Sequence, residues 1–143
     1  MKNLIRTVAA AIGLIAAMTL TSFAQTNMEA EALAKVNEIR LANGLSEVKY
    51  SASLENTSVI RVNEITEKFA HERPDGSEFY TVDSSIMYGE NLAKGYNSAD
   101  EVVDAWMASP SHRENILRSE YGTCAISTTT KDGKTYWAQE FGV

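Results

Sequence analysis

The chain has 143 residues, with nineteen acidic against thirteen basic side chains and a net charge of −6. That balance repels phosphate backbones and anionic headgroups, which argues against nucleic acid as a partner, although surplus acid is also an ordinary solubility device. The length suits one domain with its own core, and the single cysteine, Cys124, allows no internal disulfide.

The N-terminus reads as an export signal. Lys2 and Arg6 precede an uncharged apolar run over 8–20, and Ser22-Phe23-Ala24 puts small residues at −3 and −1 of a signal-peptidase cut. The expected division is a cleavable signal peptide over 1–24 and one domain over 25–143. A membrane anchor is the alternative, but a span needs roughly 20 apolar residues and this run is shorter. After cleavage nothing remains to span a bilayer, and loss of the leader's two basic residues makes the domain more acidic still. An exported small domain without a disulfide points to a bacterial source. Export ends in the extracellular space, or in a periplasm.

From Met28 to Asn43 the apolar positions Ala32, Val36 and Ile39 recur helically, and Asn43-Gly44 supplies a left-handed stop. A second helix is predicted over about 52–69, with Leu54, Val62, Ile65 and Phe69 on one face and Ser51 or Ser53 as cap. Residues 70–95 read as a long connection, turning at Pro74-Asp75-Gly76 and containing a short strand or helical turn that the pattern does not locate. Ser98-Ala99-Asp100-Glu101 is a capping box that opens a helix with Val102, Val103 and Trp106 inward. Ser109-Pro110 ends it and starts another short helix, to about Leu117. A hairpin closes the chain: β-formers over 121–130, a tight turn at Asp132-Gly133, then 135–141, with Tyr136 and Trp137 on opposite faces. The order predicts a single α+β domain.

The two histidines, His71 and His112, sit beside predicted helix ends, and Glu90 lies between them in the long connection. Two imidazoles and a carboxylate can form three legs of an open metal site, and the helix start at His112 favours the neutral ring that a metal needs. The spacing matches no local ligand motif, so simpler readings stand beside this one. His71 can complement the C-terminal dipole of its helix, and Glu90 can pair with Arg113 or accept backbone hydrogen bonds. Cys124 is most simply a small packed residue of the first hairpin strand. Tyr80 and Tyr88 can line a groove.

Four motifs occur in order: His71-Glu72-Arg73-Pro74-Asp75-Gly76, Gly89-Glu90-Asn91-Leu92-Ala93, Trp106 through Leu117, and Tyr136 through Gly142. Together with Asn37-Glu38-Ile39-Arg40 and Gly44-Leu45, they resemble the CAP superfamily of cysteine-rich secretory, antigen 5 and pathogenesis-related 1 proteins, in its bacterial branch. The resemblance spans nearly all of the chain beyond the leader. It implies an α–β–α sandwich and secretion. It also implies a cavity lined by two histidines and two acids that can hold a divalent cation such as zinc. His71, Glu90 and His112 match three of those four positions. At the fourth, where many eukaryotic members carry glutamate three residues after the tryptophan, this chain has Ser109.

Three functions follow. The first is an extracellular binding module for a peptide, lipid or surface ligand, favoured because no nucleophile elbow, zinc-protease helix or phosphate loop occurs. The second is a purely structural polar triad. The third is a hydrolase, with His112 as base oriented by Glu90, a cation-activated water, or a Cys124–histidine pair; its catalytic candidates are Glu90 and His112.

Overall fold

The computed structural model describes the backbone from Ile15 and the side chains from Asn27 onward. Among the described residues four helices, α1 (Ile15–Ala42), α2 (Ala52–Glu64), α3 (Ala99–Ala108) and α4 (Pro110–Ile116), surround strands β1 (Lys49–Tyr50), β2 (Gly89–Lys94), β3 (Thr123–Lys131) and β4 (Lys134–Gly142). The strands form one sheet in the order β1-β3-β4-β2, parallel only between β1 and β3. The predicted leader falls on residues whose side chains, and in 1–14 whose backbone, lie outside the described ones. Among the described residues no helix is long and apolar enough to cross a membrane.

Strand alternation divides the core in two. Ala93, Cys124, Ile126, Trp137 and Phe141 face Ala32 and Val36 of α1, Val102, Val103 and Trp106 of α3, and Ile116 of α4. Leu92, Ala125 and Ala138 face the other way, onto Leu54 and Val62 of α2 and Ile65 just beyond it. The result is an α–β–α sandwich with α2 alone on one side, which bears out the expected α+β class. Tyr136 packs on the α2 side and Trp137 on the opposite one, as the alternation predicts.

Local signals act largely as their chemistry requires. Gly44 takes φ +75° at the end of α1, and Ser51 accepts the Leu54 amide at the start of α2. Ser98 accepts from the Glu101 amide, but the returning Glu101 carboxylate takes the Asn97 N–H instead of that of Ser98. Asp132 and Gly133, at φ 51° and 72°, form the tight hairpin turn. Ser109 stands at the N-cap of α4 with Pro110 after it, yet its side chain makes no capping bond.

Two expectations need correction, and a third gains its location. Helix α2 stops at Glu64, where the Ile65 and Thr66 amides close a final turn, so Phe69 lies beyond it and is exposed. His71 therefore sits well past the helix end and does not complement its dipole. The long connection contains a 3-10 turn at Phe79–Val82 and the whole of β2, so Glu90 rides on a strand. Every β2 residue but Lys94 is buried, so the segment lacks the polar alternation that marks a half-exposed strand.

Candidate functional site

The site forms around β2, the strand at the sheet edge. Glu90 and Leu92 point to the α2 side, while Asn91 points to the α3–α4 side. On the α2 side, Arg61 comes from the inward face of α2, in helical step with Leu54, Ser58, Val62 and Ile65, and is fully buried. Its Nε donates to Glu90 Oε2 at 2.6 Å and its Nη2 to Glu90 Oε1 at 3.2 Å, a two-point grip on one carboxylate. Its Nη1 reaches Glu64 at 2.6 Å, and Glu64 in turn takes Arg73 of the Pro74-Asp75-Gly76 turn at 2.7 Å. Further bonds from Nη2 to the Ala70 and His71 carbonyls anchor the segment that carries His71. Glu90 thus pairs with Arg61, not with Arg113.

His71 Nδ1 meets Glu90 Oε1 at 2.8 Å. A carboxylate can only accept there, so Nδ1 carries the proton, and in the neutral tautomer the lone pair lies on Nε2. The His71 side chain is 56% exposed, whereas that of Glu90 is sealed in. Burial alone would raise the Glu90 pKa, but the hydrogen bonds from His71 and Arg61 outweigh it and hold the group below the ordinary carboxylate value.

Sequence reasoning missed Glu140. It lies directly across the β2–β4 ladder from Glu90, has no exposure, and neither of its oxygens receives a hydrogen bond. Burial first, and the Glu90 charge second, push its pKa well above the ordinary range. The proton it keeps is the donor that this pair lacks, and it can bridge to Glu90. An unfolded Glu140 ionises near its ordinary value while the folded one stays neutral, so Glu140 costs stability as pH rises between those two points. Replacing Glu140 with Gln should therefore stabilise the protein by an amount that grows by about 1.4 kcal/mol per pH unit within that window. Urea unfolding of both proteins at pH 5 and pH 8 checks this; parallel pH profiles would refute the neutral assignment.

On the other side of β2, Asn91 donates to Gln139 at 3.0 Å and to the His112 carbonyl at 3.2 Å. Asn115 donates to Asn91 and to the Glu90 carbonyl, which locks α4 against the strand. Among the described residues the His112 ring has no hydrogen-bond partner. Burial foremost, with the nearby His71 second, lowers its pKa and keeps the imidazole neutral. His112 lines a recess of about 280 Å³ together with Phe69, Leu92, Lys94, Tyr96, Trp106 and Ser109. Lys94 Nζ lies over the Phe69 ring at 4.5 Å.

The three residues singled out by sequence thus gather at one edge, but not as three equal legs. Glu90 stands behind His71 with both oxygens engaged, and it does not orient His112. Among the described residues no three His, Cys, Asp or Glu side chains converge as a ready-made metal site. The nitrogen and oxygen donors at this edge are two imidazoles, with the carboxylate behind one of them. Ser109 lines the recess and brings no charge. Cys124 is fully buried, with its thiol pushed up to about 12 by burial, so it is a packed residue and not a nucleophile. It should resist iodoacetamide at pH 8 in the native protein and react once unfolded, as mass spectrometry would read; native labelling would contradict the packing. Tyr80 and Tyr88 are exposed and do not line the recess.

Known proteins share the sequence pattern and the fold. The model of the cysteine-rich secretory protein family (CAP) matches residues 33–141. The uncharacterized protein YkwD of Bacillus subtilis (strain 168) is 32% identical over 112 residues, which cover 73% of this chain and 43% of that protein. The chain therefore spans less than half of that relative's length. Among solved structures, an extracellular SCP-domain protein from Bacillus anthracis superposes with a TM-score of 0.70 at 17% identity, covering 82% of this chain and 41% of that one. An outer surface protein of Borrelia burgdorferi gives 0.67 at 20% identity, covering 92% and 95%. At such identities the structures attest the fold.

Proposed function

This chain belongs to the cysteine-rich secretory protein family, and from that premise we propose that it is an extracellular binding module whose site is the edge shared by His71 and His112. The observation that carries the reading is His112 in the wall of an apolar recess, with its ring kept neutral by burial, and His71 close enough to act on it electrostatically while held by Glu90. Export rests on the N-terminal signal and on the extracellular and outer-surface descriptions of its structural neighbours.

The two imidazoles are the groups that would hold a divalent cation such as zinc, and a bound cation would offer open positions to an oxygen or nitrogen of the ligand. Arg61 and Glu90 contribute by fixing the tautomer and direction of His71. The recess, with Trp106 and Tyr96 in its wall and Lys94 at hand, suits an apolar group carrying a negative charge, as on a peptide, a lipid or a surface polymer.

A second reading has its own observation. The buried Arg61–Glu90–Glu140 set resembles a structural network that ties α2 to the far edge of the sheet. Both readings are tested by calorimetric zinc titration of the wild type beside the His71→Ala/His112→Ala double variant. The binding module predicts stoichiometric uptake that is lost in a folded double variant. No uptake by the wild type removes the cation and leaves the network. The hydrolase alternative is weaker, because Glu90 orients His71 instead of a base at His112; retained folding with an activity lost in Glu90→Gln would revive it.

A further inference from the structure

A larger cavity lies away from the histidines, between α1, the β1 strand and the start of α2. It has a volume of about 520 Å³, within the range of small-molecule sites. Its apolar surface comes from Leu33 and Ala34 of α1, Tyr50 of β1 and Ile126 of β3. Strand β1 pairs with only Thr123 and Cys124 of the nine-residue β3, so the groove opens where the sheet edge has lost its neighbouring strand.

The charged groups lining this groove all have one sign. Glu29, Glu38, Glu47 and Glu55 line it, and among the described residues no lysine, arginine or histidine does. Two of the four are committed. Glu29 accepts from the Thr128 amide at 2.7 Å, and Glu55 accepts from the Tyr50 hydroxyl at 2.6 Å. Glu38 and Glu47 are exposed and have no hydrogen-bond or ion-pair partner among the described residues. Apolar walls with two uncommitted carboxylates complement an apolar body bearing a positive charge and disfavour an anion of the same shape.

We propose that this groove is a second ligand site, selective for a small organic cation: a protonated amine or guanidinium attached to an apolar group of about phenyl-alkyl size. The site stands apart from the histidine edge, does not depend on it, and selects for the opposite charge to the Lys94 recess.

The test uses three probes of one shape, 4-phenylbutylamine, 4-phenylbutanol and 4-phenylbutanoate, titrated into the full-length protein and followed by amide NMR shifts. The amine should bind saturably and shift Leu33, Ala34, Tyr50 and Ile126, at least tenfold more tightly than the alcohol, with the carboxylate weakest. The Glu38→Gln/Glu47→Gln variant alters two exposed side chains and should fold normally while losing about tenfold in amine affinity. Equal binding of amine and alcohol, an unchanged affinity in that variant, or no saturable shift at these residues would each overturn the assignment.

Discussion

Replacing Arg61 with alanine is expected to cost roughly 3–5 kcal/mol of folding stability, the usual penalty for stripping the partner from a buried charge. Arg61 holds Glu90 at two points, Glu64 at one and the Ala70 and His71 carbonyls besides, all from a position with no solvent exposure. Without it the ionised Glu90 faces Glu140 in a sealed space, and neither carboxyl retains a cation within the sheet. The same argument predicts a rescue. Arg61→Met combined with Glu90→Gln and Glu140→Gln removes the charges together and should recover most of the loss, since apolar or neutral replacement of a whole buried set is often close to neutral. Urea unfolding of the single and triple variants measures both. A loss under about 1 kcal/mol in Arg61→Ala would mean that the grip contributes little beyond an exposed ion pair.

Arg40 is the second position where a large effect is expected, for a different reason. It is buried and has no acid within ion-pair distance among the described residues. Four of its five N–H donors serve backbone carbonyls instead: Ser46 at 2.8 Å, Ile116 at 2.7 Å, Arg118 at 2.9 Å and Tyr121 at 3.2 Å. Two of these lie at and just past the C-terminal end of α4, where carbonyls lack helical partners, and Tyr121 leads into β3. Arg40 therefore clamps α1 to the α4–β3 junction that positions His112. Burial lowers its pKa, yet a guanidinium stays charged at any ordinary pH. Each carbonyl stripped of its donor costs about 1–3 kcal/mol, less than additively, so Arg40→Ala should lose roughly 3–5 kcal/mol. Arg40→Lys keeps the charge but cannot span four acceptors, and should fall between alanine and wild type. Thermal unfolding with calorimetric enthalpies would separate the three. A lysine variant as stable as wild type would show that charge, and not the fork, is what the junction needs.

Both arginines show where sequence reading reaches its limit. Each sits on an inward helical face: Arg61 in step with Leu54 and Val62, Arg40 four residues after Val36. The helical period was legible, but a lone arginine on an apolar face does not announce its partner. Those partners are a strand carboxylate 29 residues away and a set of backbone carbonyls. Glu140 was hidden for a related reason. The alternation of Tyr136 through Phe141 assigns it to the face of Ala138, but its meeting with Glu90 depends on the β2–β4 register. Strand β2 itself gave no period because both its faces are buried, and β1 is two residues long. Signals that act within a few residues read correctly: the Ser51 cap, the Ser109-Pro110 break, the Asp132-Gly133 turn and the inward Trp106 and Trp137. The gathering of His71, Glu90 and His112 at one edge came from motif resemblance, since no spacing links them. Their division of labour required coordinates.

The central claim is that Glu90, held by Arg61, fixes His71 as the Nδ1–H tautomer and leaves its Nε2 to share a ligand with His112. Histidine-selective ¹⁵N NMR tests it most directly, with spectra recorded before and after zinc. With only two histidines in the chain, assignment follows from one single-histidine variant. The account predicts a protonated Nδ1 and an unprotonated Nε2 on His71, and a joint shift of both rings as zinc is added. A His71 ring protonated at Nε2 alone, or zinc that leaves either ring unmoved, would contradict it.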